Sequence, residues 1–397
     1  MKLSNRLDSI EASQTFSIAN RLLQLKKEGY SVIAMNLGEA SIDTPINIAS
    51  AGIEAIHDGH TRYTPIGGTS RLKKAIINKF QRDQNTTFEK SEILVSSGSK
   101  QSISNALMAL LNSGDEVIIP APYWSPYPSM VKLAGGAPVI VQSSVENDFK
   151  ITPEKLEEAI TPKTKLLIIN NPNNPTGVMY SEKELIAIGE TLKKYPYVYV
   201  ISDDVYEKLI WSEQTFYNLL SVCPDLRGRI ITINSVSKSH AMTGWRIGYA
   251  AADERIIDGM YRVQSQTTSC PCAISQYAAR EALECDQQII EEQVLQFQEH
   301  HNLVMQRLGQ IEGIQTMPSD GTFYIFPCIK DLLPKIGFKS DEAFCRFLLD
   351  DLHVGVVPGS FFGSPGHIRI NFAIEKKQLT EAMDRIQSAI VDRLADG

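Results

Sequence analysis

The chain lacks any apolar run longer than a strand, so no helix able to span a bilayer is expected. It also lacks an excess of positive charge. Its 39 lysines and arginines stand against 46 aspartates and glutamates, a formal net charge of −7, which argues against nucleic acid as the main partner. An anionic ligand must then be held by local cations rather than by an overall positive field. Cysteine is sparse: Cys223, Cys270, Cys272, Cys285, Cys328 and Cys345 are scattered along the chain. Cys270-Pro271-Cys272 is too cramped for a zinc spacing, and no Cys/His cluster accompanies it, so no metal is expected. The pattern suits reduced thiols in a cytoplasmic protein. Residues 1–11 carry Asp8 and Glu11 and no apolar core, so no signal peptide is expected.

What is present is an ordinary globular composition, 43% hydrophobic and 21% charged, in 397 residues, long enough for two domains. Helical spacing over 16–28 stops at Gly29, a candidate C-cap, and a short strand pattern covers 32–37. Strand patterns then follow at 93–96, 116–120, 138–142, 165–170, 198–202, 229–234 and 246–251. Helical patterns lie between them at 100–111, 153–160, 182–194 and 254–265. This alternation predicts an α/β fold with a largely parallel sheet. From 285 to 308 runs a long polar stretch without glycine or proline, read as a helix. Beyond it come short strands (323–326, 354–357, 368–372) and amphipathic helices (341–352, 377–394). The expected division is a large domain over 46–285 and a smaller α+β domain built from 1–45 and 286–397.

The most informative stretch is 234–248, Asn-Ser-Val-Ser-Lys-Ser-His-Ala-Met-Thr-Gly-Trp-Arg-Ile-Gly. It places Lys238 just past a buried-type strand, among hydroxyls and glycines, with Arg246 following. A lysine amine there can form an imine with an aldehyde cofactor while Ser237 and Arg246 hold an anionic handle. Open α/β sheets bind ligands beyond the carboxyl ends of their strands, and other strand ends here also carry polar groups. Gly98-Ser99-Lys100 opens a helix that can cradle a phosphate, although Gly-Ser before a helix is more often only a cap. Asn171-Pro172-Asn173-Asn174-Pro175-Thr176-Gly177 is dense enough in Asn and Pro to be a fixed loop presenting the Asn174 amide. Asp203 ends a buried strand, where a carboxylate needs a cation or a donor; a helix N-cap is the plainer reading. Arg369, in an alternating strand, is either a surface arginine or a bidentate grip for a carboxylate.

In this order the motifs resemble the aspartate aminotransferases of bacterial subgroup Ib, within the fold type I pyridoxal phosphate (PLP) aminotransferases, over residues 35–373. The resemblance implies a mostly parallel seven-stranded sheet flanked by helices. It implies that Lys238 carries PLP, that Asp203 pairs with the pyridine nitrogen, and that Tyr206 and Asn174 bond the phenolic oxygen. Trp124 would stack on the ring; the Ser99 and Lys100 backbone, Ser237 and Arg246 would bind the phosphate. Tyr63 would reach the phosphate of a neighbouring subunit, so a homodimer with shared active sites is implied. Arg369 with Asn174 and the Gly38 backbone would hold the substrate α-carboxylate, Lys100 a distal carboxylate, and Trp124 would also contact substrate. The implied reaction moves the amino group of L-aspartate to 2-oxoglutarate by a ping-pong mechanism, with Lys238, Asp203 and Tyr206 as the catalytic groups.

Gly38-Glu39-Ala40-Ser41 stands where the family commonly has Gly-Glu-Pro-Asp, Ser235 where it has glycine, and Asp204 where it has glutamate. The first departure falls in the segment that closes over substrate, so aromatic, prephenate or kynurenine-type substrates are the alternative. A PLP lyase on the same fold is a further rival. A transcription factor with such an effector domain would need an appended DNA-binding module, and the pattern begins too early for one.

Overall fold

Four or more consecutive fully buried residues in a strand require cover on both faces of the sheet, and that requirement shapes this molecule. The computed structural model describes residues 3–10 and 14–396. Of the segment read as lacking a signal peptide, Met1, Lys2 and Glu11 lie outside the described residues. After β1 (Ile33–Ala34) come β2 (Ile93–Ser96), β3 (Glu116–Ala121), β4 (Ala137–Gln142), β5 (Thr164–Asn170), β6 (Tyr199–Asp203), β7 (Ile230–Ser235) and β8 (Gly248–Ala251). The last seven form one sheet in the order β2-β8-β7-β6-β5-β3-β4. β8 runs antiparallel to both neighbours and every other pairing is parallel. The expected α/β architecture with seven strands is what the chain adopts.

Successive side chains point to opposite faces of a strand, and β5 shows the result. Leu167 and Ile169 enter the core beneath helices Ser70–Gln84 and Glu182–Lys193. Leu166 and Ile168 enter the opposite core, beneath helices Ser99–Leu110 and Glu254–Thr267. Each buried Leu or Ile contributes roughly 1.5–3 kcal/mol, so the double cover fixes the strand register.

A third core joins β1 to the C-terminal part of the chain. Here β9 (Tyr324–Ile325), β11 (Val357–Pro358) and β12 (Ile368–Asn371) form a small antiparallel sheet, and β10 (Val354–Gly355) pairs with β1. Val205 and Tyr206, just past β6, pack into this core as well. The seam between large sheet and small core therefore runs along the carboxyl ends of the large strands. Behind the seam, buried Lys79 forms an ion pair with Glu207, and Gln84 also bonds to that carboxylate, tying the turn after β6 to helix Ser70–Gln84.

Several expected elements differ in extent. The strand pattern at 246–251 begins only at Gly248, because Arg246 sits at φ 56° in the left-handed region, outside any ladder. The strand read over 32–37 pairs only at Ile33–Ala34. Beyond it, the carbonyls of Asn36 and Leu37 accept from the Arg369 and Asn371 side chains instead of a partner strand. The helix read over 285–308 begins only at Gln288: Cys285 is extended, Asp286 accepts from the Gln288 N–H, and the helix is Gln288–Leu308. Gly29 does end helix Gln14–Lys27, at φ 96°. No helix among the described residues is long and apolar enough to cross a membrane.

Candidate active site

The carboxyl ends of β2, β3, β5, β6 and β7 meet at one rim, and because β8 is antiparallel its entry lies there too. That topology brings Ser99, Trp124, Asn174, Asp203, Lys238 and Arg246 together from across 148 positions of sequence (246 − 99 + 1). A cavity of about 260 Å³ opens between the loop at Glu39–Asp43 and the Lys238 loop, lined also by Ser237, Ala241, Thr243 and Phe323.

Lys238 lies in the turn after β7, and its Nζ donates to the Gly38 carbonyl. Burial pushes the amine down to about 8; Glu39 opposes that shift, and Arg369 and Arg246 add to it. Asp203, the last residue of β6, is 4% exposed. It does not cap a helix, since a turn follows it. The Tyr127 hydroxyl donates to its Oδ2 at 2.5 Å, whereas Oδ1 faces no donor in hydrogen-bonding geometry among the described residues. Burial lifts this carboxyl to about 6, and the Tyr127 hydroxyl, the Val205 N–H and the charge of Lys238 restrain the rise.

Asn174 is fixed at both ends: its N–H donates to Asn170 Oδ1 at 2.7 Å, and its Oδ1 accepts from Arg369 Nη1 at 3.0 Å. Both bonds use the backbone N–H and Oδ1, not the amide nitrogen. Arg369 is no surface residue, at 3% exposure. Its Nη2 donates to the Asn36 carbonyl at 2.7 Å, Nε has no partner among the described residues, and the guanidinium lies over the rings of Tyr324 (4.4 Å) and Phe362 (4.9 Å). Asn371 holds the same loop by donating to the Leu37 and Glu39 carbonyls, both at 2.8 Å. Tyr206 is buried, with its hydroxyl 3.1 Å from that of Tyr324.

At the other end of the rim, helix Ser99–Leu110 starts at Gly98, whose residue type offers no side-chain cap. Gly98 is at φ 90°, and a Cβ there would come within 2.3 Å of Arg246 Nη2. Glycine lets the arginine lie across the helix start. Arg246 itself donates from Nη1 to the Thr243 carbonyl at 2.8 Å. The Ser235 hydroxyl, where glycine is common in the family, accepts from the Ser237 N–H at 3.2 Å and so braces the turn. Lys100 Nζ sits 5.5 Å above the Trp124 ring, and burial followed by the charge of Arg246 lowers its pKa. Trp124 meets Tyr127 edge-on at 5.3 Å. Tyr63 stands apart, 93% exposed and remote from this rim's hydrogen bonds.

The structure thus gathers Gly38, Ser99, Lys100, Trp124, Asn174, Asp203, Tyr206, Ser237, Lys238, Arg246 and Arg369 and leaves Tyr63 outside. Tyr127, Asn170, Tyr324 and Asn371 join them without having been legible as site residues. A buried amine, a buried carboxylate and the Arg246 guanidinium at a helix start lie within electrostatic reach of one another. Such a set suits a flat, anionic aldehyde with a protonated ring nitrogen.

This combination of doubly covered sheet and lysine-bearing rim is that of an aminotransferase. The family model for class I and II aminotransferases matches residues 30–386, and the chain belongs to that family. Among its relatives, an aspartate/prephenate aminotransferase of Nitrosomonas europaea is 44% identical, covering 98% of this chain and 100% of its own. The aspartate aminotransferase of Bacillus subtilis is 42% identical, at 98% of each chain. The crystal structure of the aspartate aminotransferase from Rhizobium meliloti superposes with a TM-score of 0.95 at 41% identity, covering 99% of both chains.

Proposed function

We propose that this aminotransferase binds pyridoxal 5′-phosphate at Lys238 and transfers the amino group of L-aspartate to 2-oxoglutarate, giving oxaloacetate and L-glutamate by ping-pong kinetics. The observation that carries the reading is the buried Lys238 amine, on which the Asp203 carboxylate and the Arg369 guanidinium both act electrostatically. PLP supplies an aldehyde for the lysine and an electron sink for charge developing at the substrate Cα.

The chain's own residues supply the rest. With its pKa near 8, Lys238 has a neutral fraction at physiological pH, so Nζ can attack as a nucleophile and later carry the Cα proton. Asp203 Oδ1, with no donor in hydrogen-bonding geometry among the described residues, could take a ring N–H, and a cation there would draw its raised pKa back down. Tyr206 and the Asn174 amide nitrogen would donate to the phenolic oxygen, and Trp124 would stack on the ring. Arg246, Ser237 and the N–H groups of Ser99 and Lys100 would grip the phosphate. The free Nε of Arg369 completes a fork for the substrate α-carboxylate beside Gly38 and Asn174, and Lys100 is the cation available to a distal carboxylate.

Tyr63, exposed in the single chain, would complete a phosphate site in the partner of a cytoplasmic homodimer. Helix Ile46–His57 supports a covered face, since it exposes Ile46, Ile53 and Ile56 on one side. Prephenate as amino acceptor is the second reading, favoured by the double name of the Nitrosomonas europaea relative. Single-turnover half-reactions discriminate: aspartate and glutamate should load the enzyme at least tenfold faster than phenylalanine, about 1.4 kcal/mol. Equal rates would overturn the dicarboxylate assignment, and unloading by prephenate as fast as by 2-oxoglutarate would establish the second reading.

A further inference from the structure

We propose that Tyr324 is a positioning residue whose hydroxyl donates to that of Tyr206 and so commits the single Tyr206 proton to the cofactor's phenolic oxygen. The inference rests on the reading above, in which Tyr206 grips that oxygen. Tyr324 lies in β9 and is fully buried. Its hydroxyl is walled in by Gly38, where a Cβ would stand 3.1 Å away. The Tyr206 hydroxyl, at 3.1 Å, is its one hydrogen-bond partner among the described residues. Burial raises the pKa of both phenols, so each keeps one proton and has one to give.

Two arrangements are available. If Tyr206 donates to Tyr324, the Tyr324 proton is left in a buried site with no acceptor, which costs about 1–3 kcal/mol, and Tyr206 has nothing left for the cofactor. If Tyr324 donates to Tyr206, both protons are used, and the chain of two hydroxyls strengthens the terminal donor. The second arrangement satisfies every group once the phenolic oxygen is in place.

Tyr324 has a separable second role. The Arg369 guanidinium rests on its ring at 4.4 Å, and a phenylalanine ring would support it equally. Tyr324→Phe therefore removes the hydrogen bond and leaves the carboxylate grip intact. A simple packing role would be kept by the phenylalanine ring and would leave the titration midpoint, kcat and KM alike unchanged.

The test is a spectroscopic pH titration of the lysine-bound cofactor in holoenzyme. A hydroxyl donating to the phenolic oxygen stabilises negative charge there and holds the titration midpoint down. Tyr324→Phe should raise the midpoint by about half a unit to one unit and lower kcat about three- to tenfold, with KM for aspartate changed less than about twofold. Tyr206→Phe should raise the midpoint further, and the double variant should match Tyr206→Phe alone. An unmoved midpoint in Tyr324→Phe, or a double variant showing the sum of the two single shifts, would overturn the relay while the wild-type titration keeps the cofactor reading intact. A wild-type protein that develops no such absorbance would overturn the cofactor reading and the relay with it.

Discussion

Arg369 Nη1 donates to Asn174 Oδ1 at 3.0 Å, joining a strand of the small C-terminal sheet to a loop of the large one. The two residues are 195 positions apart. With the Asn36 carbonyl also bonded to this guanidinium, three segments of chain converge on one side chain. Its remaining nitrogen, Nε, is buried and has no hydrogen-bond partner among the described residues.

Replacing Arg369 by lysine keeps the charge and removes the planar fork. The expected result is a fall in kcat/KM for aspartate of about thirtyfold to a thousandfold, corresponding to about 2–4 kcal/mol. Steady-state kinetics checks this, with near-ultraviolet circular dichroism confirming that the fold is kept. Undiminished efficiency would remove Arg369 from the substrate site.

Asp203 yields a prediction whose sign runs against the usual carboxylate. Its folded pKa of about 6 lies above the ordinary value, so its stabilising contribution is present below about pH 4 and is lost as pH rises through 6. At pH 7.5 the cofactor-free protein then bears a penalty of roughly 2–3 kcal/mol for this charge. Cofactor-free Asp203→Asn should melt above wild type at pH 7.5, with the difference vanishing near pH 4. The same variant, loaded with cofactor, should lose at least about a hundredfold in kcat. Identical melting at pH 7.5 would show that the buried charge is compensated elsewhere.

On the proposed function, the Lys238 amine, lowered to about 8 by burial, should set the pH dependence of cofactor uptake. Stopped-flow absorbance should show the rate of PLP capture by cofactor-free protein rising with pH and levelling off above about 8 to 9, as Nζ loses its proton. A rate still rising at pH 10 would mean an ordinary, solvated lysine.

The lines of the sheet were open to reading because its strands are buried on both faces and rich in β-branched residues. Ile93–Ser96 agrees to the residue, and Glu116–Ala121 and Thr164–Asn170 agree within one position at each end. Lys238, Asp203 and Asn174 stand out for a related reason: each sits at or a few residues past the carboxyl end of such a strand, where the apolar pattern gives way to polar groups. Helix Ser70–Gln84 is harder, because Lys79 occupies its buried face and is compensated by Glu207 from a turn 128 positions on (207 − 79), which spacing cannot show. Tyr127 and Tyr324 read as ordinary core aromatics. Their roles appear only when β6 sets Asp203 beside one phenol and the β9–β12 register sets Tyr324 opposite Asn371, close to Arg369.

Borohydride reduction of the protein after incubation with pyridoxal phosphate, followed by peptide mass spectrometry, tests the central assignment most directly. A single reduced phosphopyridoxyl adduct per protomer, on Lys238 and absent from Lys238→Ala, is the predicted result. An adduct on another lysine at equal yield, or none at all in yellow protein or colourless, would contradict it.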